Sequence, residues 1–83
     1  MEKEQMKYWL DNMIEAHKPI WAHMNYPKTD GIEIEVLENT ILMKGVAKAA
    51  EILGCAVTFD YDGYCTRICM EYRGVEFVEH KFH

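Results

Sequence analysis

The sequence predicts an α+β domain. Its expected elements are an N-terminal helix kinked or broken near Pro19, a strand or short hairpin, a short helix and a three-stranded antiparallel meander, with the helices packed on one face of the sheet. Three observations carry this. Apolar residues near the N-terminus recur at helical spacing, and those in the last third alternate at a period of two. The dipeptides Asp62-Gly63 and Arg73-Gly74 interrupt that alternation where hairpin turns belong.

In the segment 2–25, Met6, Leu10, Met13, His17, Ile20 and Met24 follow one another at spacings of 4, 3, 4, 3 and 4. Trp9, Ile14 and Trp21 widen the stripe, which makes the segment an amphipathic helix. Pro19 removes an intrahelical hydrogen bond and disfavours helix at the preceding residue, so a kink, or two helices over 3–17 and 19–25, is expected. An unbroken helix over 2–24 would span roughly 35 Å, against about 27 Å for an eight-residue strand. Either Pro19 folds the helix back or part of its Met/Trp stripe overhangs and meets a second copy of the helix.

Residues 25–31, Asn-Tyr-Pro-Lys-Thr-Asp-Gly, form a turn-rich linker into an α/β core over 31–83. Ile32, Ile34 and Val36 alternate with Glu33 and Glu35, a strand with one wet face. Glu38-Asn39 either closes a hairpin onto 40–43 or lets Asn39 cap a helix. From 44 to 53 the pattern is helical, with Val46, Ala49, Ala50 and Leu53 on one side, and Gly54 is a natural stop.

In the meander, Asp62-Gly63 suits a two-residue type I′ turn because both positions need positive φ. With two-residue loops Tyr61 faces Tyr64, Val57 faces Ile68, and Met70 faces both Cys55 and Phe77. The core face is then Cys55, Val57, Phe59, Tyr61, Tyr64, Ile68, Met70, Tyr72, Val75 and Phe77. The opposite face carries Ala56, Thr58, Asp60, Cys65, Arg67, Cys69, Glu71, Glu76, Val78, His80 and Phe82. A bulge at Arg73-Gly74 would swap the faces of the last strand.

The chain has 83 residues, enough for one domain with a modest core. Its net charge of −5 is uneven: residues 1–29 hold four acids and four bases, residues 30–83 ten acids and five bases. That excess disfavours direct nucleic-acid binding and suits a basic protein surface. No apolar run approaches the ~20 residues of a membrane span, and the charged N-terminus lacks a signal peptide's apolar stretch. A cytoplasmic location with no membrane partner is expected. The three cysteines form no disulfide framework and fit reduced thiols.

Cys65, Cys69, His80 and His83 suggest zinc, but on a strand the two cysteine Cα atoms lie roughly 13 Å apart. That is too far to share one ion through Zn–S bonds of about 2.3 Å, or to form a disulfide. The chain has no serine, which leaves Cys65 or Cys69 with His80 as the one nucleophilic dyad to consider. No metal, cofactor or catalytic residue is expected. Glu33/Glu35 and Glu76/Glu79 are paired carboxylates, best read as a solvated face that resists edge-to-edge aggregation. His17 and Trp21, one helical turn apart, can touch.

The expected function is a non-enzymatic interaction module that forms a homodimer. Met6, Trp9, Leu10, Met13, Ile20, Trp21 and Met24 would carry assembly, and Glu33, Glu35, Asp60, Glu71 and Glu76 would face a basic partner. An alternative is a small-ligand binder that grips an anion or nucleotide with Arg67 and His80. A thiol enzyme is a third reading. In size, acidity and helix-plus-meander plan the chain resembles small accessory proteins of bacteriophages and prophages. That resemblance implies a protein that blocks a host factor or sequesters a small signalling molecule.

Overall fold

A computed structural model describes residues 2–24, 33–36 and 45–83 of the chain. Its elements are α1 (Glu2–His23), β1 (Glu33–Glu35), α2 (Val46–Leu53), β2 (Val57–Tyr61), β3 (Cys65–Tyr72) and β4 (Val75–Phe82). The architecture is α+β, as the sequence predicts. The sheet departs from the plain meander: it has four strands in the order β1-β4-β3-β2, and β1 runs parallel to β4. The reason lies in β4, which is buried on both sides at Phe77 and Val78 and so needs a neighbour on each edge. Ile34 beside Phe77 supplies the second one. The alternatives weighed for 38–43 lie outside the described residues.

α1 runs unbroken through Pro19, contrary to the expected division. The lost hydrogen bond is local: the Met24 N–H donates to the Ile20 carbonyl at 3.0 Å beyond it. Burial of Trp21 in the core outweighs the proline penalty. His17 does meet Trp21, at 5.8 Å between ring centroids, and its Nδ1 lies 2.7 Å from the Met13 carbonyl oxygen.

α2 is closed at both ends by different means. At its C-terminus Gly54 takes a left-handed φ of 72°. The N–H of Cys55 reaches the Ala50 carbonyl at 2.9 Å and that of Gly54 the Glu51 carbonyl at 3.3 Å, a Schellman closure. At its N-terminus no side chain of the helix itself caps the free amides. Instead the Val46 N–H donates to Glu79 Oε1 at 2.9 Å. Glu79 comes from β4 and is 2% exposed. Gly45 makes room for it: φ is 95°, and a Cβ there would stand 2.9 Å from the same carboxylate oxygen.

The second hairpin keeps the two-residue turn expected of it, and the first shifts its loop by one position. Arg73 and Gly74, with φ of 54° and 76°, form the two-residue turn with positive φ at both positions, and Tyr72 faces Val75. At the other hairpin Asp62 Oδ1 accepts from the N–H groups of Tyr64 at 3.0 Å and Cys65 at 2.9 Å. This pulls Asp62 out of the loop and leaves Gly63 and Tyr64 as the loop residues. Val57 therefore faces Met70, Phe59 faces Ile68 and Tyr61 faces Thr66, a shift of two residues from the expected register. An even shift keeps every side chain on its expected face.

One core joins Met6, Leu10, Ile14 and Trp21 of α1, Ile34 and Val36, the apolar side of α2, and Ile68, Met70, Val75 and Phe77 of the sheet. It does not extend along the whole helix-side face. Phe59 and Tyr61, expected in the core, are 58% and 68% exposed, and Tyr64 is exposed in its loop. The eight-residue α2 is too short to cover the sheet as far as this hairpin. α1 is tied to the opposite end, where Tyr72 Oη and Arg73 Nη1 each donate to Asp11 Oδ1 at 2.9 Å.

Candidate functional site

The face of the sheet away from the helices collects most of the chemistry the sequence singles out. Register sets it out in cross-strand rows. Glu33, Glu76 and Glu71 lie side by side on β1, β4 and β3. The next row is Glu35, Val78, Cys69 and Thr58, and the row after it is His80, Arg67 and Asp60. Glu33, Glu35, Asp60, Glu71 and Glu76, expected from sequence to form one acidic surface, thus share one face with Arg67 and His80. Among the described residues, five carboxylates against one guanidinium leave the face strongly negative.

Arg67 reaches across the middle row to pair with Glu33, and its Nη2 lies 3.8 Å from Glu76 Oε2. Its stem therefore runs over the Cys69–Val78 row, and both of those residues are buried although, among the described residues, no helix covers this face. His80 Nδ1 lies 3.4 Å from Glu35 Oε1. Both residues named as anion ligands are already engaged by carboxylates. Beside them an open depression of about 210 Å³ is lined by Ala56, Thr58, Cys69, Met70, Glu71 and Glu76.

The thiols are placed as packing groups. Burial pushes the Cys69 thiol above its ordinary pKa, and the neighbouring Glu76 adds to this against the pull of Arg67. Its Sγ donates to Glu76 Oε2 at 3.6 Å. Cys65 faces Phe82 and Cys69 faces Val78, while His80 faces Arg67. Among the described residues, no cluster of three or more His, Cys, Asp or Glu side chains has the arrangement of a metal site.

The α1 stripe is divided between core and surface. Met6, Leu10 and Trp21 are buried within the chain, and Met13 packs against the same core. Trp9 is half-buried, and Ile20 and Met24 are exposed. Among the described residues, no helix is long and apolar enough to cross a membrane.

Sequence reasoning misses Glu79. Its spacing from Glu76 suggests a solvated pair, yet it shares parity with Val75 and Phe77 on β4, and strand alternation alone puts it on the core side. The Asp11–Tyr72–Arg73 tie joins residues far apart in the chain and leaves no local signal. Comparison with protein-family models, with curated proteins and with solved structures finds no match for this chain.

Proposed function

We infer that this protein is a non-enzymatic interaction module that presents the outer face of its sheet to a basic surface on another protein. One observation carries the reading: Glu33, Glu76 and Glu71 stand in a single row on three adjacent strands. Neighbouring strands are only about 4.8 Å apart, and like charges directly opposite each other destabilise a sheet. Among the described residues, Arg67 alone serves two of the three acids. A face that retains such repulsion is suited to a partner that supplies the missing cations. Docking there would relieve the repulsion, while the Cys69–Val78 row and the adjoining depression offer a little apolar area. A blocking role of the kind seen in small phage accessory proteins is compatible with this chemistry. An anion would have to displace Arg67 from Glu33 and Glu76, which makes the ligand-binding reading weaker.

The test uses an oligolysine peptide as the probe, titrated into labelled protein and followed by amide chemical shifts at low ionic strength. The expected changes centre on Glu33, Glu35, Asp60, Glu71 and Glu76 and fade as salt is added. Changes centred instead on Glu2, Glu4 and Glu15 of α1, or none at all, would overturn the reading.

A further inference from the structure

Strand β2 forms one edge of the sheet, and among the described residues no strand pairs with its open side. The N–H of Asp62 donates to the Cys65 carbonyl at 3.2 Å, so these two residues are a hydrogen-bonded pair of the hairpin. Bonded and non-bonded pairs alternate along an antiparallel ladder. Asp60–Arg67 and Thr58–Cys69 are then the other bonded pairs. Val57, Phe59 and Tyr61 direct their backbone N–H and C=O groups to the open side. Proteins commonly blunt such edges with lysine, proline or a bulge. The sequence of β2, Val-Thr-Phe-Asp-Tyr, contains neither lysine nor proline; its one charge, Asp60, lies on the outer face, and its pairing with β3 runs without a break.

We propose that a second copy of this chain occupies the edge, with the two β2 strands antiparallel about a two-fold axis at Phe59. This register sets Phe59 opposite Phe59 and Val57 opposite Tyr61, and it uses every outward-pointing backbone group of those three residues. It also sets Asp60 opposite Thr58. A register centred on Asp60 would oppose two carboxylates, and one centred on Thr58 would leave Tyr61 unpaired. The two sheets become one of eight strands with an isologous interface.

The side chains agree with the backbone. Phe59 and Tyr61 lie on the helix side of the sheet, where they are more than half exposed, and the two-fold brings four rings into one strip. At about 200 Å² for each ring, their exposed parts amount to roughly 500 Å², near half of the ~1,000 Å² that a specific interface needs. The paired strands supply further area, which makes this a concentration-dependent dimer. The outer acidic faces come to lie side by side, so added salt strengthens association by screening them. The proposal does not depend on the acidic face having a foreign partner.

Light scattering over a concentration series up to about 1 mM tests it, together with Phe59→Pro and Phe59→Lys. The residue 59 N–H points away from β3, so proline there removes a bond on the axis and leaves the hairpin ladder intact. Lysine there sets two ammonium groups against each other. Wild-type mass is expected to rise to twice that of the chain. The amides of Val57, Phe59 and Tyr61 should become protected from hydrogen exchange over the same range. Both variants should remain monomers with unchanged circular dichroism. A wild-type monomer throughout would overturn the proposal and leave the edge to a foreign strand. So would a dimer that persists in both variants, or one in which those three amides stay unprotected.

Discussion

Among the described residues, the helix-side face of the sheet holds one buried carboxylate, Glu79, while the outer face holds five acids, four exposed and Glu76 half-buried. Glu79 has a defined structural task. It accepts from the α2 N-terminus and is accommodated by a glycine that leaves room for it. The outer acids differ in kind. Glu33, Glu76 and Glu71 crowd one another, and Arg67 pairs with only the first two. In two layers built from the same alternating strands, charge on one face is needed for the fold and charge on the other works slightly against it. The difference separates residues kept for stability from residues available for binding, which burial alone would not do.

The sharpest way to break this contrast is at Glu79. Glu79→Ala leaves the buried Val46 N–H without its acceptor and opens a void, and should lower stability by about 2–3 kcal/mol in urea unfolding. Gly45→Ala drives a Cβ into the same carboxylate in a backbone region nearly restricted to glycine, at a cost of about 2 kcal/mol. Near-neutral values for both would mean that this carboxylate is as dispensable as the outer ones.

A smaller effect is expected where α1 is tied to the sheet. Burial pushes the Asp11 carboxyl up, but the hydrogen bonds from Arg73 and Tyr72 outweigh it and hold the folded value below the ordinary one. The stability from this tie is complete above the unfolded value of about 3.9 and is lost as pH falls through the lower folded value. Tyr72→Phe removes one of the two donors. It should cost about 1 kcal/mol or less at neutral pH, because the site is partly exposed. The gap between variant and wild type should narrow in thermal melts as pH falls below about 4. A gap that widens on acidification would refute this.

Much of the fold is legible in the sequence because it rests on periodicity. The alternation through Val57, Ile68, Met70 and Phe77 places the sheet faces correctly even though the first hairpin shifts by two residues, since only an odd shift changes face. The turn itself is not legible, because the outcome depends on Asp62 capturing two amides beyond Gly63. Nor is the parallel pairing of β1 with β4, which depends on a non-local contact between Ile34 and Phe77. Alternation cannot show where helical cover stops, so it places Phe59 and Tyr61 inside the core. The gathering of Glu33, Glu35, Asp60, Glu71 and Glu76 follows from parity, but their grouping into rows with Arg67 and His80 requires the register.

The most direct test of the contrast is the double variant Glu35→Lys/Glu71→Lys, which brings the outer face to about zero net charge and sets an ammonium group beside Glu76. Its melting temperature and its oligolysine-induced shifts should be measured together with those of the wild type. The expected result is a stability within about 1 kcal/mol of wild type, shifted upward because a like-charge pair is removed, together with loss of the peptide response. A marked loss of stability, or an undiminished response to the peptide, would contradict it.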